Sequence, residues 1–401
     1  MNERSSSPQS IYLIFAIACG VLVANLYYAQ PLLKPIGHDL SLPLSMTGLI
    51  VTMTQIGFVA GLLFLVPLFD RIENRRLILF VVTILIVALF LVGMSHNAFV
   101  FFLSSCLIGL GAVAAQIIVP FAAQLSNALE RGRRVGMVMS GLLLGIMFAR
   151  PIASIVTFYF GWHAIYLSSA LVCILLWFLL YFLLPKRIPV TELSYQKLIR
   201  SLWSLFIHTP VVRRRALYQA SLFGVFSLFW SSAPLWLIDK YHYSQQDIAL
   251  FAFVGVAGAV AAPIAGRWAD KGHSKILTTF ALLAAPIAYL STVIVPQGSI
   301  AGLIVLYLCA IVLDMAVSTN LVVGQRAIYS LSASLRGRVN SIFMSVFFIG
   351  GAVGSAVSGW LLTSFSWQGI AVIGMLIPLF AFLYFLTEKK SQPSYGEGRD
   401  L

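Results

Sequence analysis

Charge is what this sequence has least of. Asp, Glu, Lys and Arg make up 10% of its 401 residues, and the acids number only 13. A soluble domain carries about 25% charged residues. Hydrophobic residues reach 60%, so a water-soluble fold is excluded: it could not hide so much apolar surface. Cysteine is scarce as well. Cys19, Cys106, Cys173 and Cys309 all sit inside apolar runs. Their spacing suits neither zinc nor a disulfide framework, and they read as small buried hydrophobes. No phosphate-cradling glycine loop is present, which argues against ATP-driven transport. There is also no paired-acid motif and no zinc-spaced histidine cluster. His38, His96, His163 and His242 fall between apolar runs or at their ends, as surface residues. The chain is therefore not read as an enzyme, and no cofactor or metal is implied.

Basic residues, in contrast, are in excess, giving a net charge of +13. Nucleic-acid binding needs such residues gathered on one folded face. Here they fall in short runs between apolar segments, so no nucleic-acid partner is expected. The lipid bilayer is the partner this pattern implies.

A spanning helix needs about 20 mostly apolar residues. The sequence predicts spans at 11–32, 45–68, 77–94, 98–125, 135–159, 164–184, 214–238, 246–266, 276–295, 299–325, 338–363 and 367–386. The first is long enough to span and lacks a small-residue cleavage site, so it is expected to remain as a span. The twelve form two sets of six: residues 1–184, a cytoplasmic linker at 185–213, and 214–401 with a short cytoplasmic tail. Within the linker, WSLF at 203–206 suggests an interfacial helix.

Lys and Arg in the loops set the orientation. With the N-terminus inside, 23 of the 26 fall on the cytoplasmic side. Only Lys34 and Lys240 lie outside, and Arg150 is left within a span. Both termini are expected in the cytoplasm.

The halves repeat each other. GRRVGMVMSG from Gly132 aligns with GRVNSIFMS from Gly337, and FGWHAI at 160–165 with FSWQGI at 365–370. FDRIENRR at 69–76 sits in the same loop of its half as ADKGHSK at 269–275. Such duplication in a membrane chain places a substrate site between the halves near mid-membrane.

Two ionised side chains lie deep within the spans: Arg150 in the fifth and Asp314 in the tenth. A charge at the centre of a spanning helix costs about 2.5–3.5 kcal/mol on insertion scales and is functional by default. Arg150 follows Gly141, Gly145 and Ala149 at four-residue spacing and precedes Pro151. Small residues on one face allow close packing, and proline bends the helix. GGAVGSAVSG at 350–359 is richer still in small residues.

Twelve spans, a central loop and the charged turns VPLFDRIENRR (66–76) and GRWADKGH (266–273) resemble the major facilitator superfamily. NLYYAQPLL (25–33) and RAIYSLSASLRGR (326–338) resemble a bacterial branch near its drug:proton antiporters. The resemblance implies an all-α fold of two pseudo-symmetric six-helix bundles, working as a monomer. It implies a latch in which Asp70, with Arg71 beside it and Asp270 in the second copy, closes the cytoplasmic side against the opposite half. It brings the fifth and tenth spans to the interface between halves, where Arg150 and Asp314 are expected to pair or to share a wet cavity. A neighbouring positive charge lowers a carboxylate's pKa and burial raises it, so a change in either loads or releases a proton. Asp314, with Arg150, is the proton-coupling candidate; a static salt bridge is the structural alternative. The resemblance also makes the first, fourth, seventh and tenth spans line the cavity. The cavity candidates are Asn25, Tyr28, Gln30, Gln55, Gln116, Trp230, Asn320 and Gln325, with Tyr27 pointing elsewhere. Gln116 stands as the strong polar group of a fourth span that lacks the arginine of many antiporters.

Val66 replaces a family glycine and Phe69 a small residue, adding bulk where the halves are expected to meet. Three readings follow: a proton-coupled exporter of a small solute, which is favoured; a symporter or facilitator importing a small metabolite, an anion held by Arg150 among the options; or a degenerate copy that does not transport.

Overall fold

The structure is a computed structural model, and it describes residues 9–127, 130–189, 194–331 and 335–388. In a bilayer every backbone polar group must be satisfied within the protein, which leaves helices for a chain with these apolar runs. Nearly all of it is helical. The spanning helices are α1 (Gln9–Ala24), α2 (Leu44–Asp70), α3 (Asn74–Gly93), α4 (Ala98–Leu125), α5 (Arg131–Phe160), α6 (Trp162–Leu183), α7 (Pro210–Lys240), α8 (Gln245–Asp270), α9 (Ser274–Ile294) and α10 (Ile300–Tyr329). A 51-residue run, Arg336–Leu386, merges the last two across a non-helical residue, Ser366. We call its parts α11 (336–365) and α12 (367–386). Each of the twelve expected segments thus has a helical counterpart. Ten helices among the described residues are long and apolar enough to cross a membrane, the merged pair counting as one, and Ser10–Ala24 is shorter.

That first segment is short because it breaks. After Ala24 the α-helix gives way to tight turns over residues 25–29, with i→i−3 bonds such as Tyr27 N–H to Ala24 O at 3.0 Å, then a further tight turn at Gln30–Leu32 and a helix at Leu33–Asp39. The Asn25 amide caps the break by donating to Val21 O at 2.8 Å and Leu22 O at 3.3 Å. Pro31, which has no N–H, follows the break.

Helices α1 to α6 pack among themselves, as do α7 to α12, and the two groups meet chiefly along α2 with α11 and α5 with α8. Close packing within each group uses the small residues. A Cβ on Gly145 would stand 2.2 Å from Gly20 O, and one on Gly354 only 1.9 Å from Gly224 O. So α1 against α5 and α7 against α11 repeat one device: backbone laid on backbone.

The turns at the repeated FGW and FSW also correspond. Gly161 (φ +80°) separates α5 from α6, and Ser366 (φ +56°) separates α11 from α12. Each following tryptophan is tied down by its indole N–H, Trp162 to Asp39 at 2.9 Å and Trp367 to Thr292 at 3.0 Å.

The linker forms a helix at Tyr195–His208, capped by Ser194, with Leu198 and Leu202 buried and Trp203 exposed. The WSLF stretch lies on it. Part of the 326–338 motif, at 332–334, and the basic residues of both tails lie outside the described residues.

Candidate functional site

A cavity of about 660 Å³ lies between the two groups of helices. It starts at the exposed first turns of α5 and α11, at Arg131 and Arg336, and ends at buried Arg150 and Asp314. That is about 28 Å along α5 at 1.5 Å per residue. The opposite end is closed by contacts across the halves. Gln245 Nε2 donates to Pro31 O at 3.0 Å and to Ser154 Oγ at 3.2 Å. Thr52 meets Ser355 at 2.9 Å, and Gln55 donates to Ser227 at 2.8 Å.

Arg150 and Asp314 are brought together. Nη1 of the arginine lies 3.8 Å from Oδ1 of the aspartate, joining α5 of the first half to α10 of the second. Arg150 is 1% exposed and Asp314 7%. Three further groups shape the pair. Gln30, set by the break in α1, accepts from Arg150 Nε at 2.6 Å. Trp230 donates from Nε1 to Asp314 Oδ2 at 3.1 Å while its ring lies 4.2 Å from the guanidinium carbon. Tyr27 and Phe226 present their rings to the same cation at 5.4 and 5.1 Å. A desolvated cation over an aromatic face gains about 2 kcal/mol, so these rings offset part of the cost of burying Arg150. Gly255 of α8 leaves the space the guanidinium fills: a Cβ there would meet Nη1 at 2.9 Å.

Breaking such a pair by removing one member costs about 3–5 kcal/mol, because an uncompensated buried charge remains. Even so, the site is not fully satisfied. Arg150 Nη2 and Gln30 Nε2 are buried without a hydrogen-bond partner. The walls nearby are aromatic, with Phe223 stacked on Phe347 at 4.0 Å and Phe58 against Phe348 at 4.4 Å.

The other expected residues divide. Gln116 and Gln325 line the cavity. Asn25 and Tyr28 do not: Asn25 accepts from Ser169 at 2.7 Å, and Tyr28 packs edge-on against Tyr166, both inside the first bundle. The break in α1 rotates Tyr27, not Tyr28, toward the cavity, a correction to the regular-helix expectation. Gln55 donates to Ser227 and Asn320 to Gln219 at 2.7 Å, while the buried amide oxygens of both have no hydrogen-bond partner. Trp230 and Gln30 stand behind the cavity surface and act on it through Arg150 and Asp314. Gln219, Phe223 and Gly255 were missed; only a knowledge of which helices touch singles them out.

At the open end, Asp270 pairs with Arg326 of its own half at 2.8 Å. Asp70 is half-buried and in electrostatic range of Arg338 at the start of α11 and of Arg187. Arg71 is exposed. Phe69 is buried against Phe121 of its own bundle, ring centroids 6.3 Å apart. Its bulk therefore does not stand between the halves, contrary to expectation. Val66 lines the cavity.

This geometry is that of a two-bundle carrier with a central cavity, and sequence comparison agrees. The family model described as Major Facilitator Superfamily matches residues 13–328 and 290–400. The chain belongs to the major facilitator superfamily. A relative in Escherichia coli O157:H7, the uncharacterised transporter YgaY, is 38% identical over 92% of this chain and 93% of its own. A probable transporter of Streptomyces coelicolor is 28% identical over 90% of this chain and 83% of its own. Among solved structures, a D-xylose–proton symporter superposes with a TM-score of 0.74 at 16% identity, covering 93% of this chain and 97% of that one. A likeness at that identity speaks for the fold. This major facilitator protein is accordingly a multi-pass membrane transporter for a small molecule, not an enzyme.

Proposed function

We propose that this transporter couples solute movement to protons through the Arg150–Asp314 pair. The observation that carries the reading is the pair's position: two opposite charges 3.8 Å apart, one from each half, at the closed end of the cavity. Residues 1–184 and 214–401 are the two rocking units, joined by the linker at 185–213. Protonation of Asp314 removes the attraction that holds α5 to α10, so the charge state of one carboxyl biases the two arrangements of the halves. The excess of basic residues at the open end supports a reading of that end as cytoplasmic, with both termini there, in a bacterial inner membrane. The structure is then inward-open. In the outward-open state Asp70 would latch onto the start of α11 near Arg338. One chain holds a complete cavity, so a monomer suffices.

Export by proton exchange is what the antiporter resemblance implies. It is supported by a probable sugar efflux transporter of Pasteurella multocida, 24% identical over 69% of this chain. The unpartnered Nη2 of Arg150 favours a second reading, in which solute and proton load together. The packing of Phe69 into its own bundle removes one ground for a degenerate copy.

Proteoliposomes under an imposed pH gradient test the proposal. Solutes from a panel of cationic dyes, sugars, organic acids and nucleosides should dissipate the gradient with the native protein and not with Asp314→Asn. The direction of the pH change on adding solute separates exchange from co-transport. Equal proton movement by the Asn variant would sink the coupling role of Asp314.

A further inference from the structure

We infer that the solute this cavity takes is an organic anion with an apolar, ring-bearing body, its charged end held by Arg150 while Asp314 carries a proton. The inference rests on the co-transport reading of the pair and gives it a substrate class.

Charge balance carries the argument. In the empty site Arg150 and Asp314 cancel, and a buried pair resists any change that leaves one charge alone. A cation on Asp314 would strip Arg150 of its counter-charge and stand beside it. A neutral solute would leave Arg150 without a counter-charge once Asp314 is protonated. A monoanion with one proton restores neutrality. The proton, taken from cavity water, forms the O–H of Asp314, and the anion replaces the carboxylate at Arg150. The loaded site then has the same net charge as the empty one.

Other features agree. The charged residues lining the cavity are Arg131 and Arg336 at its mouth and the Arg150–Asp314 pair at its deep end, so the lining carries a net positive charge, placed at the entrance. Arg150, which lines the cavity, has a buried Nη2 with no hydrogen-bond partner. A guanidinium donates two parallel bonds to a carboxylate, and one of its two terminal nitrogens has no hydrogen-bond partner here. The Phe223, Phe347 and Phe348 rings supply flat apolar surface for the body of the ligand. A volume of about 660 Å³ falls within the usual size of small-molecule sites.

The charged and titratable groups that face Asp314 are Arg150 from α5 and Tyr27 from the break in α1. Trp230 of α7 donates to it, and a Cβ on Gly255 of α8 would stand 3.6 Å from its Oδ1. None of these except Arg150 offers an alternative counter-charge.

The test is equilibrium binding by titration calorimetry on the full chain in lipid nanodiscs, with three probes sharing a naphthalene ring. These are 2-naphthoate, 2-naphthamide and 2-naphthylmethylamine. Naphthoate should bind at least about tenfold more tightly than the other two, the equivalent of about 1.4 kcal/mol. Its affinity should rise by about tenfold for each pH unit lowered while Asp314 is ionised in the free protein. In Asp314→Asn the naphthoate affinity should become high and independent of pH, and in Arg150→Gln it should be lost. Preference for the amine, equal binding of all three, or no naphthoate binding by folded native protein would overturn the inference. Native affinity for naphthoate that ignores pH would uphold the anion and overturn proton coupling through Asp314. Gradient dissipation that depends on Asp314, together with preference for the amine, would do the reverse.

Discussion

The indole of Trp230 lies 4.2 Å from the guanidinium carbon of Arg150 and at the same time donates to Asp314 Oδ2 at 3.1 Å. One side chain thus fixes both members of the pair. Trp230 is a positioning residue, and its two functions are separable. Trp230→Phe keeps an aromatic face for the cation and removes the N–H. A hydrogen bond to a charged group contributes about 1.5–3 kcal/mol, so the rate at neutral pH should fall by about tenfold or more. The sign of the pH effect follows. Losing a donor to the carboxylate disfavours its ionised form, so the pH profile of transport should move toward higher pH. A lower rate with an unmoved profile would reduce Trp230 to a packing residue.

Gly255 is the sharper test of geometry. Its backbone is in the right-handed helical region (φ −58°, ψ −14°), so alanine is tolerated by the main chain. The added Cβ, however, would stand 2.9 Å from Arg150 Nη1 and 3.6 Å from Asp314 Oδ1. Gly255→Ala should push the guanidinium off the carboxylate. Overpacking of this kind costs about 1–3 kcal/mol, too little to unfold the protein. The expected outcome is normal insertion and yield with transport reduced by an order of magnitude or more. Full transport by Gly255→Ala would show that the 3.8 Å pairing does not matter.

Much of this was legible in the sequence, and the limits have physical causes. Span lengths and loop charges fixed the helices, because a bilayer permits few other structures. Arg150 and Asp314 stood out, because charge within a span is costly. Tyr27 was misplaced because a regular α-helix was assumed where the chain tightens into turns between Ala24 and Gln30. Asn25, Gln55 and Asn320 are polar and mid-span, yet each spends its amide on a partner far along the chain, such as Ser227 for Gln55. Only the fold reveals those partners. Gly255 is one of 30 glycines, with nothing in its neighbourhood to mark it.

Phe69 inverts its sequence-based reading. Its bulk is expected where the halves meet. Instead it is 5% exposed and packs edge-on against Phe121. Phe69→Ala should cost about 3–5 kcal/mol of stability, as buried phenylalanines do. Thermal unfolding in detergent should show a lower midpoint, with no gain in turnover. Faster turnover at unchanged stability would instead place the bulk of Phe69 between the halves.

Ser366 and Gly161 occupy equivalent turns of the two repeats, and both have positive φ. With ψ at −160°, Ser366 sits in a region that suits glycine and costs other residues about 1–3 kcal/mol. It is exposed, so its side chain gains little from packing. Ser366→Gly should therefore stabilise the protein, less the extra chain entropy that glycine loses on folding, about 0.5–1 kcal/mol. Gly161→Ala should do the opposite. Nothing lies within 4 Å of a Cβ there, so any loss must come from the backbone alone. The pair of substitutions is read by unfolding midpoints, which should move in opposite directions. If Ser366→Gly lowers the midpoint and Gly161→Ala leaves it unchanged, the two turns do not share the strained geometry that the repeat assigns them.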